Sequence, residues 1–370
     1  MKTKVMILKH AAHSLSSLCL LALLPLLGCT TPPDAVLRGD ALPGFVIENP
    51  YAAVDWEVFG QHKANLHTHT TVSDGRMNPH EVIDRYHALG YTVLALTDHN
   101  AVTYPWESLT DLVPSGPSKR RVANDDLQSG DLAFENRDPA ALGMVAIQGN
   151  ELSSHHHMGS FLSDHNNTAN EDASLAAIAA KDGLAMLYHP GRYGQSLEWY
   201  LDLYRRHEHL FGLEIYNQGD RYPLDRELWD AILTELMPDR PVWGYSNDDM
   251  HTLGQLGRNW TLFLLPELSE AHVREALVNG HSFYVYVPRG HERPQPPRIR
   301  DIQVDADTIR LVASDYEEIV WISDGHVVHR GPVVSLGTTT NLGAYVRAEL
   351  HGTDRSVTGT QPFGIRRPGY

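Results

Sequence analysis

The 370-residue chain has only two cysteines, Cys19 and Cys29, both near its N-terminus. Past Cys29, therefore, no disulfide can form, and no thiolate can serve as nucleophile or metal ligand. Basic charge is also scarce: 30 Lys and Arg face 46 Asp and Glu, a formal net charge of −16. So acidic a surface argues against a nucleic-acid groove. The apolar run Leu15 to Leu27 is too short to span a bilayer comfortably, and no G-x-S-x-G nucleophile turn is present. What the chain holds in quantity is histidine, 22 in all. Any bound metal must be held by His, Asp and Glu, a donor set that suits zinc, manganese or iron.

Lys2, Lys4 and Lys9 precede the apolar run, which ends in Leu26-Leu27-Gly28-Cys29. A charged segment followed by a short apolar one has the form of an export signal. Its ending resembles the lipobox of bacterial lipoproteins, in which the cysteine is acylated and becomes the new N-terminus. Residues 1–28 are accordingly expected to be a lipoprotein signal peptide. Residues 29–59 are expected to be a tether and lead-in, Pro-rich between Thr30 and Asp40. This implies an exported protein facing the periplasm, touching the membrane only through a lipid on Cys29.

From about Gln61, apolar strand-like runs alternate with helical patterns. Asn78, Pro79 and Glu81 form a helix start, Val82, Ile83, Tyr86 and Leu89 an apolar face, and Gly90 a stop. Strands are expected at Thr92–Leu96, Met144–Ile147, Ala185–Tyr188, Gly212–Tyr216, Val242–Tyr245 and Thr261–Leu265. Helices are expected at Ser174–Lys181, Leu197–Arg206, Leu224–Leu236 and Glu270–Asn279. Repeated βα units favour an α/β barrel over residues 60–290. Residues 101–140 read as a loop inserted over one end. After a Pro-rich linker at 291–297 come short alternating runs, with an Asp324-Gly325 hairpin signal. Residues 296–370 are expected to be a separate small β-sandwich, Ig-like in type. A chain cut near Arg289 is then expected to keep its metal.

The polar residues of interest fall where apolar strands end: His67, His69 and Asp74, then Asp98 and His99, Glu151, His155 to His157, His189, and Asp249 with His251. In a barrel such ends converge on one face. Residues two apart on a strand point to the same side, so His67 and His69 can chelate one ion, as can Asp249 and His251. His156 and His155 are expected to be loop residues, and His207, His209, His281 and His329 surface or satisfied core residues.

His67-x-His69 with Asp74-Gly75, Thr97-Asp98-His99-Asn100, Gly149-Asn150-Glu151, His189-Pro190 and Asp249-x-His251 resemble the motifs of the PHP (polymerase and histidinol phosphatase) family. The long second loop and β-rich tail look most similar to its carbaryl-hydrolase-like branch. The resemblance implies a distorted (β/α)7 TIM-like barrel and two or three divalent ions, Zn, Mn or Fe. It assigns His67, His69, Glu151 and Asp249 to a first ion. Glu151 would bridge to a second, held also by His157 and His189, while Asp74, His99 and His251 would hold a third. The family often has His where Asp74 stands, which sets the third position apart. Asp98 would orient an imidazole, although its carboxylate could equally cap the following loop. Arg192 is a candidate clamp for an anionic group, or else a surface ion-pair residue.

A hydroxide bridging two such ions is expected to be the nucleophile, with Glu151 holding the pair together. The expected activity is phosphoester hydrolysis, of mono- or diesters, on a small anionic substrate with no obligate protein partner. Carboxylic or carbamate ester or amide hydrolysis is the alternative at the same site. A metal- or carbohydrate-binding lipoprotein without turnover is the alternative of another class.

Overall fold

The computed structural model describes residues 44–112, 133–167, 169–290 and 295–367. The expected signal peptide, Cys29 and the first part of the tether lie outside the described residues, as do 113–132 of the inserted loop and 291–294 of the linker.

Strand β1 (Val46–Glu48) leads to β2 (Gly60–Asn65), whose continuation carries the first histidines. Helix α1 (Pro79–Ala88) starts where expected: the Asn78 N–H donates to Glu81 Oε2 at 2.8 Å, and Val82, Ile83 and Tyr86 are buried. Strand β3 (Val93–Leu94), helix α2 (Pro139–Leu142) and strand β4 (Val145–Ala146) follow. The chain then forms a hairpin of β5 (Gly149–Leu152) and β6 (Met158–Phe161). Next come α3 (Glu171–Ala179), β7 (Leu184–Leu187), α4 (Leu197–Arg206) and β8 (Leu210–Asn217). After α5 (Leu224–Leu236) come β9 (Trp243–Asn247), β10 (Asn259–Leu265), α6 (Glu270–Asn279) and β11 (Ser282–Tyr286).

The α/β class stands, but closure into a TIM-like barrel does not. β2, β3 and β4 pair in parallel, as do β7, β8 and β9. β6 is antiparallel to both β5 and β7, and β10 is antiparallel to both β2 and β11. No helix separates β5 from β6, so the chain returns directly and antiparallel pairing is the outcome. Among the described residues, two isolated parallel bridges, Thr68 with Met250 and His99 with Glu151, link the sheets. Residues singled out for metal thus lie at or directly beside both bridges.

The tail is antiparallel β throughout: β12 (Arg298–Asp305), β13 (Thr308–Ser314), β14 (Glu318–Ser323), β15 (His326–Arg330), β16 (Val333–Ser335), β17 (Tyr345–His351), β18 (Val357–Thr360) and β19 (Phe363–Arg366). The Asp324-Gly325 turn joins β14 to β15 with positive φ at both residues (48° and 72°), as the dipeptide signalled. β12, β13 and β16 form one sheet, and their Ile299, Ile309, Leu311 and Val334 share a buried cluster with Trp321, Val346 and Leu350 of β14 and β17. The tail does not stand apart, however. β18 pairs with β11 from Phe283↔Thr360 to Tyr286↔Val357, so one sheet runs from β2 through β10 and β11 into the tail.

A buried ionic knot reinforces that junction. Arg347 on β17, 2% exposed, grips Asp230 of α5 through Nε and Nη2 at 2.8 and 2.7 Å. Its Nη1 donates to Glu349 Oε1 at 2.7 Å and to the Tyr284 hydroxyl at 3.0 Å, and its guanidinium lies 4.8 Å from the Trp229 ring centre. Removing one member of a buried charge cluster strands the others. Arg347→Met is therefore expected to lower folding stability by about 3–5 kcal/mol, read as a shifted urea midpoint. A midpoint shift worth under about 1 kcal/mol would show that water reaches Asp230 and Glu349.

Candidate metal centre

Past Asn65 the backbone is held by side chains rather than by a strand ladder. The Leu66 N–H donates to Asn247 Oδ1, the His67 N–H to Asn65 Oδ1 and the Thr68 N–H to Thr97 Oγ1, each at 2.9 Å. The His67 ring stacks on Tyr188, centroids 3.7 Å apart, and its Nδ1 lies 2.9 Å from Glu214 Oε1. Nε2 is thereby turned inward. It stands 3.3 Å from both Glu151 Oε2 and Asp249 Oδ1, and His69 Nε2 stands 3.2 and 3.1 Å from the same two oxygens. The same-side geometry expected of His67 and His69 holds, with Thr68 turned away toward Thr97 and Met250.

Glu151 faces two ways. Its Oε2 meets His67, His69 and, at 2.9 Å, His99 Nδ1. Its Oε1 meets His157 Nδ1 at 2.7 Å and His189 Nε2 at 3.4 Å. A further group gathers on Asp74 Oδ1: His251 Nε2 at 3.1 Å, His99 Nε2 at 3.6 Å and His69 Nδ1 at 3.7 Å. Gly75 is required here, because a Cβ on it would stand 2.4 Å from the His69 carbonyl oxygen. All nine expected ligands thus converge.

Three observations test whether metal fits. The Nε2 atoms of His67 and His69, Oε2 of Glu151, Oδ1 of Asp249 and Nδ1 of His99 are buried and, among the described residues, accept or donate no well-aligned hydrogen bond. Buried polar atoms left so in a group call for an unseen partner. Their separations match donors around one ion, which at bonds of about 2.1 Å stand roughly 3–3.4 Å apart. The charge balance points the same way. Burial opposes protonation of His69, yet the Asp249 and Glu151 carboxylates outweigh it and push the imidazole up to about 10. His67 is likewise raised against its burial by Asp249, Glu214 and Glu151. The carboxylates therefore favour positive charge at this point, which divalent cations would supply. The donor atoms fall into four overlapping sets: His69, Asp74, His99 and His251; His67, His189 and Asp249; His67, His69 and Glu151; and His99, Glu151 and His157. His99, assigned by the resemblance to one ion, thus presents a nitrogen to each of two sets.

Other expected residues behave differently. Asp98 touches no imidazole among the described residues. Its Oδ1 accepts from the Thr70 N–H (2.8 Å) and Ser73 hydroxyl (2.6 Å), and its Oδ2 from the Thr70 and Thr103 hydroxyls (2.7 and 2.6 Å). Through Thr103 it ties the loop that follows it, the alternative left open from sequence, and through Thr70 and Ser73 it also fastens the loop after His69. Arg192 is exposed on the Pro190–Arg192 turn, directly after His189. His155 and His156 both lie in the connection between β5 and β6, as expected, but only His155 is exposed and His156 is buried. It is 3% exposed, stacked on Tyr193 at 4.1 Å, and burial lowers its imidazole to about 3. Aromatic neighbours inside the α4 packing, rather than solvent, claimed it.

Glu214 escaped the sequence analysis. It is fully buried in β8, where Oε1 also accepts from Asn247 Nδ2 and Oε2 from the His189 N–H, both at 2.9 Å. One carboxylate thus orients both His67 and His189. The available signal was a lone acid inside the apolar run Phe211 to Tyr216. Glu214→Gln is expected to weaken metal binding about 10–100-fold in chelator competition, with the fold kept. Unchanged affinity would limit Glu214 to packing.

No protein-family model matches the chain, and no curated protein does. Among solved structures it is similar to a two-domain protein from Bacteroides vulgatus containing a predicted PHP-like metal-dependent phosphoesterase: 19% identity, TM-score 0.48, over 84% of this chain and 96% of that one. It is also similar to an amidohydrolase from Chromobacterium violaceum, at 15% identity and TM-score 0.35 over 52% and 88%. A lesion-specific endonuclease from Pyrococcus furiosus matches at 15% identity and TM-score 0.39, over 59% and 56%. Likenesses this distant assign no activity to the chain, whose own donor atoms carry the case.

Proposed function

We propose that the chain is a metal-dependent hydrolase of phosphoesters. The observation that carries this reading is Glu151, one buried carboxylate whose two oxygens each face a different group of imidazoles, 2.7–3.4 Å away. His67, His69, Glu151 and Asp249 would hold one ion, Glu151, His157 and His189 a second, and Asp74, His99 and His251 a third. When bound, divalent ions acidify water and polarise the scissile group. The protein's part is to hold these donors. Glu214 fixes His67 and His189, Asp98 fixes the loop bearing Ser73 and Asp74, and Gln218 Nε2 donates to Asp249 Oδ2 at 3.1 Å. Hydrolysis forms a bond from water oxygen to phosphorus as the ester P–O bond breaks, and the alcohol leaves with a proton. Arg192, beside His189, supplies positive charge for the phosphoryl oxygens.

Purified protein loaded with manganese or zinc is expected to hydrolyse 4-nitrophenyl phosphate or bis(4-nitrophenyl) phosphate, and a chelator should abolish it. Turnover of 4-nitrophenyl acetate alone would assign the site to carboxylic esters. Stoichiometric metal with no turnover of any of the three would leave a binding protein.

A further inference from the structure

Two tyrosine rings neighbour His189: Tyr193 with centroids 6.0 Å apart and planes 25° from parallel, and Tyr222 at 5.6 Å. Each tyrosine is paired with the arginine that precedes it. The Arg192 guanidinium is 5.7 Å from the Tyr193 ring centre, and that of Arg221 is 5.2 Å from Tyr222. Both arginines are exposed, and neither has a carboxylate partner among the described residues, although the chain carries a net charge of −16. Both pairs are tied to the candidate ligands. The Tyr193 hydroxyl accepts from the His157 N–H at 3.2 Å. Arg221 Nη1 donates to Gln218 Oε1, while Gln218 Nε2 holds the Asp249 carbonyl at 3.0 Å and its carboxylate at 3.1 Å. Leu224, two residues past Tyr222, is an apolar side chain left 54% exposed.

Given the hydrolase reading, on which this rests, we infer that the two arginine–tyrosine pairs select the substrate: a phosphoester whose organic group carries a flat aromatic ring. A phosphoryl group against His157 and His189 would direct its free oxygens toward two guanidiniums that no carboxylate neutralises among the described residues. Its organic group then meets Tyr222 and Leu224, a π face and an apolar side chain. Stacking on a tyrosine rewards a flat ring and gives less to a puckered one of equal bulk.

Benzyl phosphate and cyclohexylmethyl phosphate isolate that difference, since both release a primary alcohol and nearly match in size. The metal-loaded protein is expected to show kcat/KM about tenfold higher for the benzyl ester. Tyr222→Leu should bring the two within about twofold of each other by lowering the benzyl rate, with metal per chain unchanged. Arg221→Met should raise KM for both esters at unchanged metal content. Equal kcat/KM for the two esters with the wild-type protein would overturn the inference and leave the hydrolase reading intact. A Tyr222→Leu variant that keeps the benzyl preference would move ring selection away from this tyrosine and overturn it too. Failure of fully metal-loaded wild-type protein to turn over either ester would overturn the inference, and failure on both 4-nitrophenyl phosphates as well would overturn the hydrolase reading with it.

Discussion

Glu151→Gln is expected to fold normally, to lose at least one metal ion per chain, and to fall in turnover on the order of 10³-fold. Glu151 is 1% exposed on β5, and its backbone is held independently of the side chain: its N–H donates to the Asp98 carbonyl at 3.2 Å, and its carbonyl accepts from the Asn100 N–H at 2.8 Å. The substitution keeps the volume and these backbone bonds. It removes the negative charge shared by five imidazoles and puts an NH2 group where an acceptor faces one of the two groups. Two cations facing each other without that charge repel, and burial screens the repulsion little. Elemental analysis of the purified variant, beside a steady-state assay, reads both quantities. Full metal content with a near-normal rate would refute the bridging role. His156→Ala provides a contrast. It removes a ring from the Tyr193 stack and should cost stability through a cavity, while the ligand nitrogens stay in place.

A chain ending at Arg289 is expected to accumulate as insoluble or unfolded protein without metal, contrary to the independent tail that the composition suggested. Losing β18 leaves β11 with a bare edge in mid-sheet. Phe283, Leu264 and Tyr51 lose the tail half of their apolar cluster. The sharpest loss is Gln361, whose fully buried side chain accepts from the Gly244 N–H and donates to the Gly244 carbonyl, both at 2.8 Å. Without it both backbone groups of Gly244 in β9 are stranded, three residues before Asn247 and five before Asp249. Soluble yield, far-UV circular dichroism and metal per chain measure the outcome. A soluble, helical truncation with full metal content would restore the independent tail.

Local chemistry was enough to locate individual elements. Helices α4, α5 and α6 run over the residues that their apolar spacing and caps marked, and the Asp324-Gly325 turn is where its dipeptide placed it. The donors, too, were legible, because His and Asp at the ends of apolar runs have no structural reason to recur there. Strand direction was not legible. A helix between strands permits a parallel crossover without enforcing it, so β10 and β11, joined by α6, pair antiparallel.

The chain's own sequence determined that any metal here must be held by nitrogen and oxygen, that the candidate ligands lie between His67 and His251, and that the body closes no disulfide. Tertiary structure alone decided which atoms meet. Glu214 became an orienting carboxylate because β8 sets it between His67 and His189, residues 147 and 25 positions away. His156 was buried rather than left to solvent because Tyr193 and Trp199 offered it aromatic faces. The tail joined the central sheet because β11 needed a partner and Gly244 needed Gln361. Contacts between residues far apart in the chain leave no trace in local pattern. They follow from the need to pair every buried donor and acceptor, a condition that only the whole fold can meet.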